Sequence, residues 1–447
     1  MTGDDMPDRR AILFFTPEWN GMHPGAWRLR SSDADGAMDF AVVSRLVRAA
    51  EAAKFHGFFL ADPLGFRLHI SPAALARTAT AVRYEPFTLM AALSQCTEHI
   101  GLLMTAQTSY DEPYHVARRF ASLDHLSKGR AGWNVVTAGD PSGSVLFGRP
   151  RHLGHSERYR RGAEFVEAVT ALWDTWDDDA FEMDKESGRY FDTSKLHIAT
   201  KTGEYVHAAG PLNVPRPVQG YPVLAQAGSS PSGRDFAARY AEVIFTLQPD
   251  IDHARDFGTK VRQAATRHGR DGAHLKILPS LTLVVAESDA AADARFAELD
   301  ALVDDRLGLE LLGGFLDADL SGCHPDDPVP DVAETAGSQT VQGFFLAKAR
   351  RDNLTIRELI GFMLRWGAIG GSPTTIADHI EEWIRAGACD GFNVTFADLP
   401  DSMNLFVAEV IPELQRRNIF HHDYEGATLR DNLGLPRPVN QFQAVRR

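Results

Sequence analysis

Short β-branched or aromatic runs alternate with amphipathic stretches of helical period along almost the whole chain, and this alternation restricts the folds open to it. Residues 11–16 (AILFFT), 57–62 (GFFLAD), 100–108 (IGLLMTAQT), 130–137 (RAGWNVVT), 222–227 (PVLAQA), 243–247 (VIFTL), 276–286 (KILPSLTLVVA) and 391–397 (GFNVTFA) read as eight strands. Most are apolar along nearly their whole length, as strands covered on both faces of a parallel sheet must be. Helix-length segments separate them: 39–55 places Val42, Val43, Leu46, Val47 and Ala50 on one face, and a second helix starts at Pro86, where proline suits a first turn. Strand–helix repetition without a linker predicts an α/β fold, a single (β/α)8 TIM barrel over residues 1–447. Insertions follow strands two (63–84), four (177–220, with a small hairpin) and seven (304–353, Gly-, Asp- and Pro-rich, read as a mobile lid), and 420–447 is a C-terminal extension. An open doubly wound sheet would carry GxGxxG after its first strand; FFTPEWNG stands there instead.

Charge and cysteine content narrow the function classes. A net charge of −14 disfavours nucleic acid and anionic membranes as partners. Cys96, Cys323 and Cys389 are far apart and form no CxxC pair, which argues against a disulfide framework or a zinc ribbon and fits a reducing compartment. There is no signal-like apolar region behind MTGDDMPDRR and no long uncharged apolar run, so the expectation is a soluble cytoplasmic protein.

In a barrel of this kind chemistry sits at the C-terminal ends of the strands. The polar residues there are Asp62, Thr105, Thr108, Asn134, Thr137, Gly228, Ser229 and Ser230. AGSSPSGRDFAARYA runs a strand straight into Gly-Ser-Ser-Pro-Ser-Gly and a helix, which suits either a phosphate cradle or an ordinary N-cap on Ser230 or Ser232. HSERY at 155–159 offers His155, Ser156 as an N-cap, and Tyr159. Trp133 reads as core, with Asn134 pointing to the opposite face of its strand. HHDY at 421–424 lacks a second ligand pair, no HxH ends the first strand, no strand-end lysine suits a Schiff base, and no GxSxG elbow is present, so neither a metal nor a covalent nucleophile is expected.

Several strings together resemble one family. SLDHLSKGRAGWNVVT at 122–137 with the preceding EPYHVARRFA, ERYRRGAEFVEAV at 157–169, VLAQAGSSPSGRDFAARYAEVIFT at 223–246, GGSPTTIADHIEEWIRAGACDGFNV and LRDNLGLPRP are similar to the bacterial-luciferase superfamily. Within it they resemble the branch of nitrilotriacetate, dibenzothiophene-sulfone and long-chain alkane monooxygenases and pristinamycin synthase.

The resemblance implies a TIM barrel that takes reduced FMN from a separate NAD(P)H:flavin reductase and uses O2 to oxygenate a small organic substrate. It implies that Asp62, Thr105 and Thr108 contact the isoalloxazine side and that Asn134 and Thr137 hold the ring and ribityl chain. His155, Tyr159, Gly228, Ser229 and Ser230 would hold the phosphate. It also implies a homodimer or higher homo-oligomer built on the helices after strands two and three. Gln107 stands where relatives often carry Ser, and Ala138 follows VVT where Ser is usual. Substrate-side candidates are His23, Trp27 and Arg28 after the first strand and Arg67 and His69 in the first insertion, where Arg77 and Arg83 would also suit an anionic substrate. Two further readings stay open: a deazaflavin-dependent oxidoreductase of the same superfamily, and a flavin-binding protein without turnover.

Overall fold

The computed structural model describes residues 9–63, 71–140, 142–228, 230–332 and 339–444. Its strands are β1 (Ile12–Phe15), β2 (Gly57–Leu60), β3 (Gly101–Gln107), β4 (Ala131–Val136), β5 (Ala199–Thr202), β6 (His207–Gly210), β7 (Val223–Gln226), β8 (Val243–Thr246), β9 (Lys276–Val285), β10 (Ala368–Gly371) and β11 (Gly391–Phe396). β11, β1, β2, β3, β4, β7, β8 and β9 follow one another as parallel neighbours, and the β9–β11 pairing closes them into an eight-stranded barrel. These are the eight strands expected from the sequence, each end within two residues of expectation. β5 and β6 form the antiparallel hairpin expected between strands four and five.

Closure rests on the length of β9. Its first part pairs with β8 from Lys276 to Pro279, its middle with β11 from Ser280 to Leu283, and its end with β10 from Thr282 to Val285. β10 has no counterpart in the sequence reading, because the four residues AIGG are too short and too small for a period-two signal.

Side chains of paired residues in a parallel sheet share a face, so the register identifies the barrel interior. Phe14, Phe59, Leu103, Val223, Ala225, Val243, Phe245 and Leu278 form an interior apolar cluster with Leu429, Leu433 and Leu435 from the C-terminal extension. Phe245 stacks on Phe59 at 4.5 Å between ring centroids and meets Phe14 edge-on at 5.8 Å. The three leucines enter from the N-terminal end: Leu429 N–H donates to Gly129 O, and a Cβ on Gly101 would stand 2.4 Å from Leu429. The extension is thus a plug that floors the barrel. Arg430 anchors it: its buried guanidinium holds both oxygens of Glu242 and the carbonyls of Tyr221 and Pro436.

The third insertion departs from expectation. Residues 304–353 are not a Gly-rich loop but carry the helices Asp305–Leu316 and Gln339–Asp352, which pack with Ile356–Leu364 into a separate apolar cluster around Leu312, Phe345 and Leu359. Asp304 caps the first helix, and Leu309, Leu312 and Leu316 recur at helical spacing, a pattern that its glycines obscure. The helix His155–Trp173 also starts two residues earlier than expected: Gly154, not Ser156, is its N-cap, with Glu157 accepting from Gly154 N–H at 2.8 Å.

Replacing Arg430 by Ala leaves Glu242 near the barrel floor without its partner, so Arg430→Ala is expected to lower unfolding stability by about 3 kcal/mol or more in urea titrations. A loss well under about 1 kcal/mol would show that the plug is not anchored by this pair.

Candidate active site

Toward the C-terminal ends of the strands the inward residues change from apolar to polar. Three hydrogen-bonded pairs bridge neighbouring strands inside the barrel: Thr16 Oγ1 donates to Asn393 Oδ1 at 2.6 Å, Asn134 Nδ2 donates to Thr105 Oγ1 at 2.9 Å, and Thr282 and Thr395 hydroxyls meet at 2.8 Å. Above the Thr105–Asn134 pair, Gln107 ends β3 with its Nε2 donating to Asp62 O at 3.3 Å. All but Thr16 and Thr282 of these side chains belong to buried residues. Two acceptors in this wall, Gln107 Oε1 and Asn134 Oδ1, are buried and have no partner among the described residues. A buried unpaired acceptor costs about 1–3 kcal/mol, so the wall is built to meet donors from a bound molecule.

The turn after β7 forms a second feature. Gln226 Oε1 accepts from Gly228 N–H at 2.6 Å, and Ser230 Oγ accepts from Gly233 N–H at 3.1 Å as N-cap of the helix Pro231–Tyr240. The N-cap alternative for Ser230 is therefore what the structure shows. A helix start is also an anion site, because its first N–H groups and its dipole point outward. Tyr159 closes over this turn: a Cβ on Gly228 would stand 3.1 Å from its hydroxyl and one on Gly233 2.9 Å. Glycine at both positions keeps a small cradle open beneath the tyrosine. His155 is exposed one turn earlier, its ring 5.0 Å from that of Tyr159. Ser229 lies outside the described residues.

Other expected contacts are placed differently. Thr108 is fully buried, but its hydroxyl donates to Val136 O at 3.2 Å and faces Gly162 of the helix behind the sheet, so it lies outside the barrel interior. The Thr137 methyl faces the same glycine, and Ser109 Oγ donates to Thr137 O at 2.8 Å. The reason is parity: interior positions of β3 and β4 are the odd and even residues respectively, through Gln107 and Val136. Trp133 is core, its indole N–H donating to Ala106 O at 3.0 Å, as expected.

On the side of β1 a cavity of about 110 Å³ lies between the loop after that strand, residues Thr78–Thr80 and Leu311 of the third insertion. Gly21, at φ +119°, lets this loop lie against the β11 extension, where a Cβ would stand 2.3 Å from Ala397 O. His23 lines the cavity, yet both ring nitrogens are engaged: Nδ1 accepts from Gly25 N–H at 3.1 Å, which leaves Nε2–H to donate to Asp300 Oδ1 at 3.1 Å. Burial raises the Asp300 carboxyl, but the bonds from His23 and Arg365 outweigh it and hold it below the usual range. His23 is thereby a brace between the β1 loop and the helix Asp289–Ala301 and has no nitrogen left for a substrate. Trp27 donates to Arg77 O, and Arg28 donates to Leu302 O. Arg77 pairs with Asp304 at 3.1 Å and Arg83 with Glu18 at 3.8 Å, which removes both as unpaired cations for an anionic substrate. Arg67 and His69 lie outside the described residues.

Sequence reasoning missed the interior pairs of Thr16, Asn393, Thr282 and Thr395, although counting in twos from the strand starts would have found them. It also missed a hydrogen-bonded chain beside the mouth: Tyr110 Oη bonds His152 Nδ1 at 2.7 Å and Arg158 donates to His152 Nε2 at 2.9 Å. Burial and the Arg158 charge lower the affinity of His152 for a proton. Among the described residues no group of three or more metal-ligating side chains is brought together; His421 instead stacks on His56 at 4.3 Å and bonds Lys54 O.

Asp398, just past β11, accepts from Ser402 Oγ at 2.6 Å, while its other oxygen is buried without a hydrogen bond among the described residues, 3.9 Å from Arg295 Nη1. Burial raises its carboxyl above the usual range. The folded protein then holds a proton that the unfolded chain has released, so stability falls as pH rises from the ordinary carboxylate value through the folded one. Asp398→Asn keeps the acceptor for Ser402 and removes this titration. Its melting temperature relative to wild type is expected to rise as pH increases above the ordinary carboxylate value of about 4; a difference constant across pH would contradict the assignment.

Comparison with known proteins identifies the family. The model of a family described as luciferase-like monooxygenase matches residues 12–389. The chain is 43% identical over 430 residues to the N-acetyl-S-(2-succino)cysteine monooxygenase of Bacillus subtilis (strain 168), covering 94% of this chain and 96% of that one. It is 44% identical over 446 residues to nitrilotriacetate monooxygenase component A of Aminobacter aminovorans, covering 97% and 98%. Among solved structures, a riboflavin lyase containing modified FMN and riboflavin superposes with a TM-score of 0.83 at 30% identity, covering 96% of this chain and 97% of that one. Among the described residues no helix is long and apolar enough to cross a membrane.

Proposed function

The chain belongs to the luciferase-like monooxygenase family, and on that basis we propose that it is a two-component FMN-dependent monooxygenase of the cytoplasm. A separate NAD(P)H:flavin reductase supplies reduced FMN, O2 is the oxidant, and a small organic substrate is oxygenated, with cleavage of a C–N or C–S bond as one outcome. The observation that carries this reading is the pair of buried, unpartnered acceptors in the β3–β4 wall, which fits the N–H-bearing edge of an isoalloxazine. The glycine-lined turn under Tyr159 supports it by suiting the FMN phosphate. Three free cysteines agree with a reducing compartment.

Each part of the chain then has a task. Gln107, Thr105 and Asn134 hold and orient the ring, with Asp62 fixing Gln107 from behind. Tyr159, Gly228, Ser230 and the start of Pro231–Tyr240 hold the phosphate, with His155 beside them. Reduced FMN, when bound, supplies the two electrons with which O2 delivers one oxygen atom to the substrate and the other to water. The apolar floor and the helical third insertion keep bulk water from the site. The cavity beside β1, braced by His23 and walled by Trp27 and Leu311, is the substrate side. A groove of about 570 Å³ between the helices Pro86–Leu93 and Pro113–Leu126, with Leu126 exposed at its rim, supports the expected homodimer contact.

Ser230→Asp tests the cofactor assignment. Asp caps a helix as well as Ser does, so the fold is retained, but a carboxylate against a phosphate is expected to weaken FMN binding by about 100-fold or more in fluorescence titrations. Unchanged affinity would remove the phosphate site from this turn. Turnover is tested by adding reduced FMN and air to a substrate panel that includes nitrilotriacetate and N-acetyl-S-(2-succino)cysteine. Oxygen uptake coupled to a product carrying one added oxygen, or to its cleavage fragments, is expected; FMN oxidation without product across the panel would favour a binding protein without turnover.

A further inference from the structure

We propose that Gln107 is the residue by which the site distinguishes reduced from oxidised FMN; the inference rests on the FMN reading above. Gln107 ends β3 on the interior face, opposite Val136 in register, and is 5% exposed. The orientation of its amide is set from outside the cavity. Asp62 O can only accept, so the Gln107 NH2 faces Asp62 and the carbonyl oxygen faces the other way, where it is buried and unpartnered among the described residues. A serine at this position would be too short to present an acceptor there while also bonding Asp62.

The chemistry of the ring supplies the discrimination. Oxidised isoalloxazine has one ring N–H, at N3; the two-electron reduced ring also carries one at N5, and a further one at N1 when it is neutral. The wall contains two buried acceptors in need of donors, Gln107 Oε1 and Asn134 Oδ1, on adjacent strands. The reduced ring has a donor for each, whereas the oxidised ring leaves one acceptor buried without a bond. That deficit corresponds to a preference for the reduced form of about ten-fold. Gln107 thus makes the site a poor binder of spent flavin and favours its exchange for freshly reduced flavin.

The test is anaerobic titration of the full-length protein with reduced and with oxidised FMN, dissociation constants being read from fluorescence or calorimetry and folding from thermal melts. Wild type is expected to prefer reduced FMN by about ten-fold or more. Gln107→Met, similar in length and without an acceptor of comparable strength, is expected to bring the ratio to within about two-fold of unity by weakening the reduced form. Gln107→Leu provides the same readout if the Met variant melts early. Equal weakening of both forms would place Gln107 on a group common to both and overturn the proposal, as would a preference that survives both substitutions. Wild type binding neither form would remove the FMN reading itself, and the proposal with it.

Discussion

Closure of the parallel sheet through β9 is the constraint on which the rest of the molecule depends. Because one ten-residue strand pairs with β8, β11 and β10 in succession, the register of the whole ring is fixed, and with it the identity of every inward side chain. A slip of one residue in β3 would exchange Leu103, Thr105 and Gln107 for Leu102, Met104 and Ala106. The floor would still receive a leucine, but the mouth would lose both of its polar groups to Met104 and Ala106.

Closure also separates two environments within one tube. The aromatic layer of Phe14, Phe59 and Phe245, sealed below by Leu429, Leu433 and Leu435, excludes water from the floor. The mouth bears hydroxyls and amides that satisfy one another across strands, except for two acceptors. Such incomplete satisfaction costs stability, and it is sustained by the packing beneath it. The substrate side is separately buttressed: His23, Asp300 and Arg365 tie the β1 loop to the helices around it, and Ser71 bonds Glu310 of the third insertion.

Most of this architecture was legible in the sequence because it is written in periodicity. Buried parallel strands such as IGLLMTAQT and RAGWNVVT are apolar runs flanked by helix signals, and Trp133 and Asn134 had to face opposite ways. The third insertion was misjudged because its glycines outweighed, by eye, the spacing of Leu309, Leu312 and Leu316. The plug was invisible because three leucines around Arg430 carry no sign of which cavity they enter. At the site, the turn after β7 and Asn134 stood out as candidates from their place toward strand ends. Thr108 was misplaced for want of parity counting. The Asp300 partner of His23 and the ion pairs of Arg77 and Arg83 come from residues hundreds or tens of positions away, and local pattern does not encode them.

The central claim is that the β3–β4 wall and the turn after β7 are two ends of one flavin site. A crystal structure of the protein grown or soaked anaerobically with reduced FMN tests this most directly. The account predicts the ring against Gln107 and Asn134 and the phosphate at the start of Pro231–Tyr240 beneath Tyr159. Flavin density elsewhere on the barrel, or a phosphate held away from that turn, would contradict it.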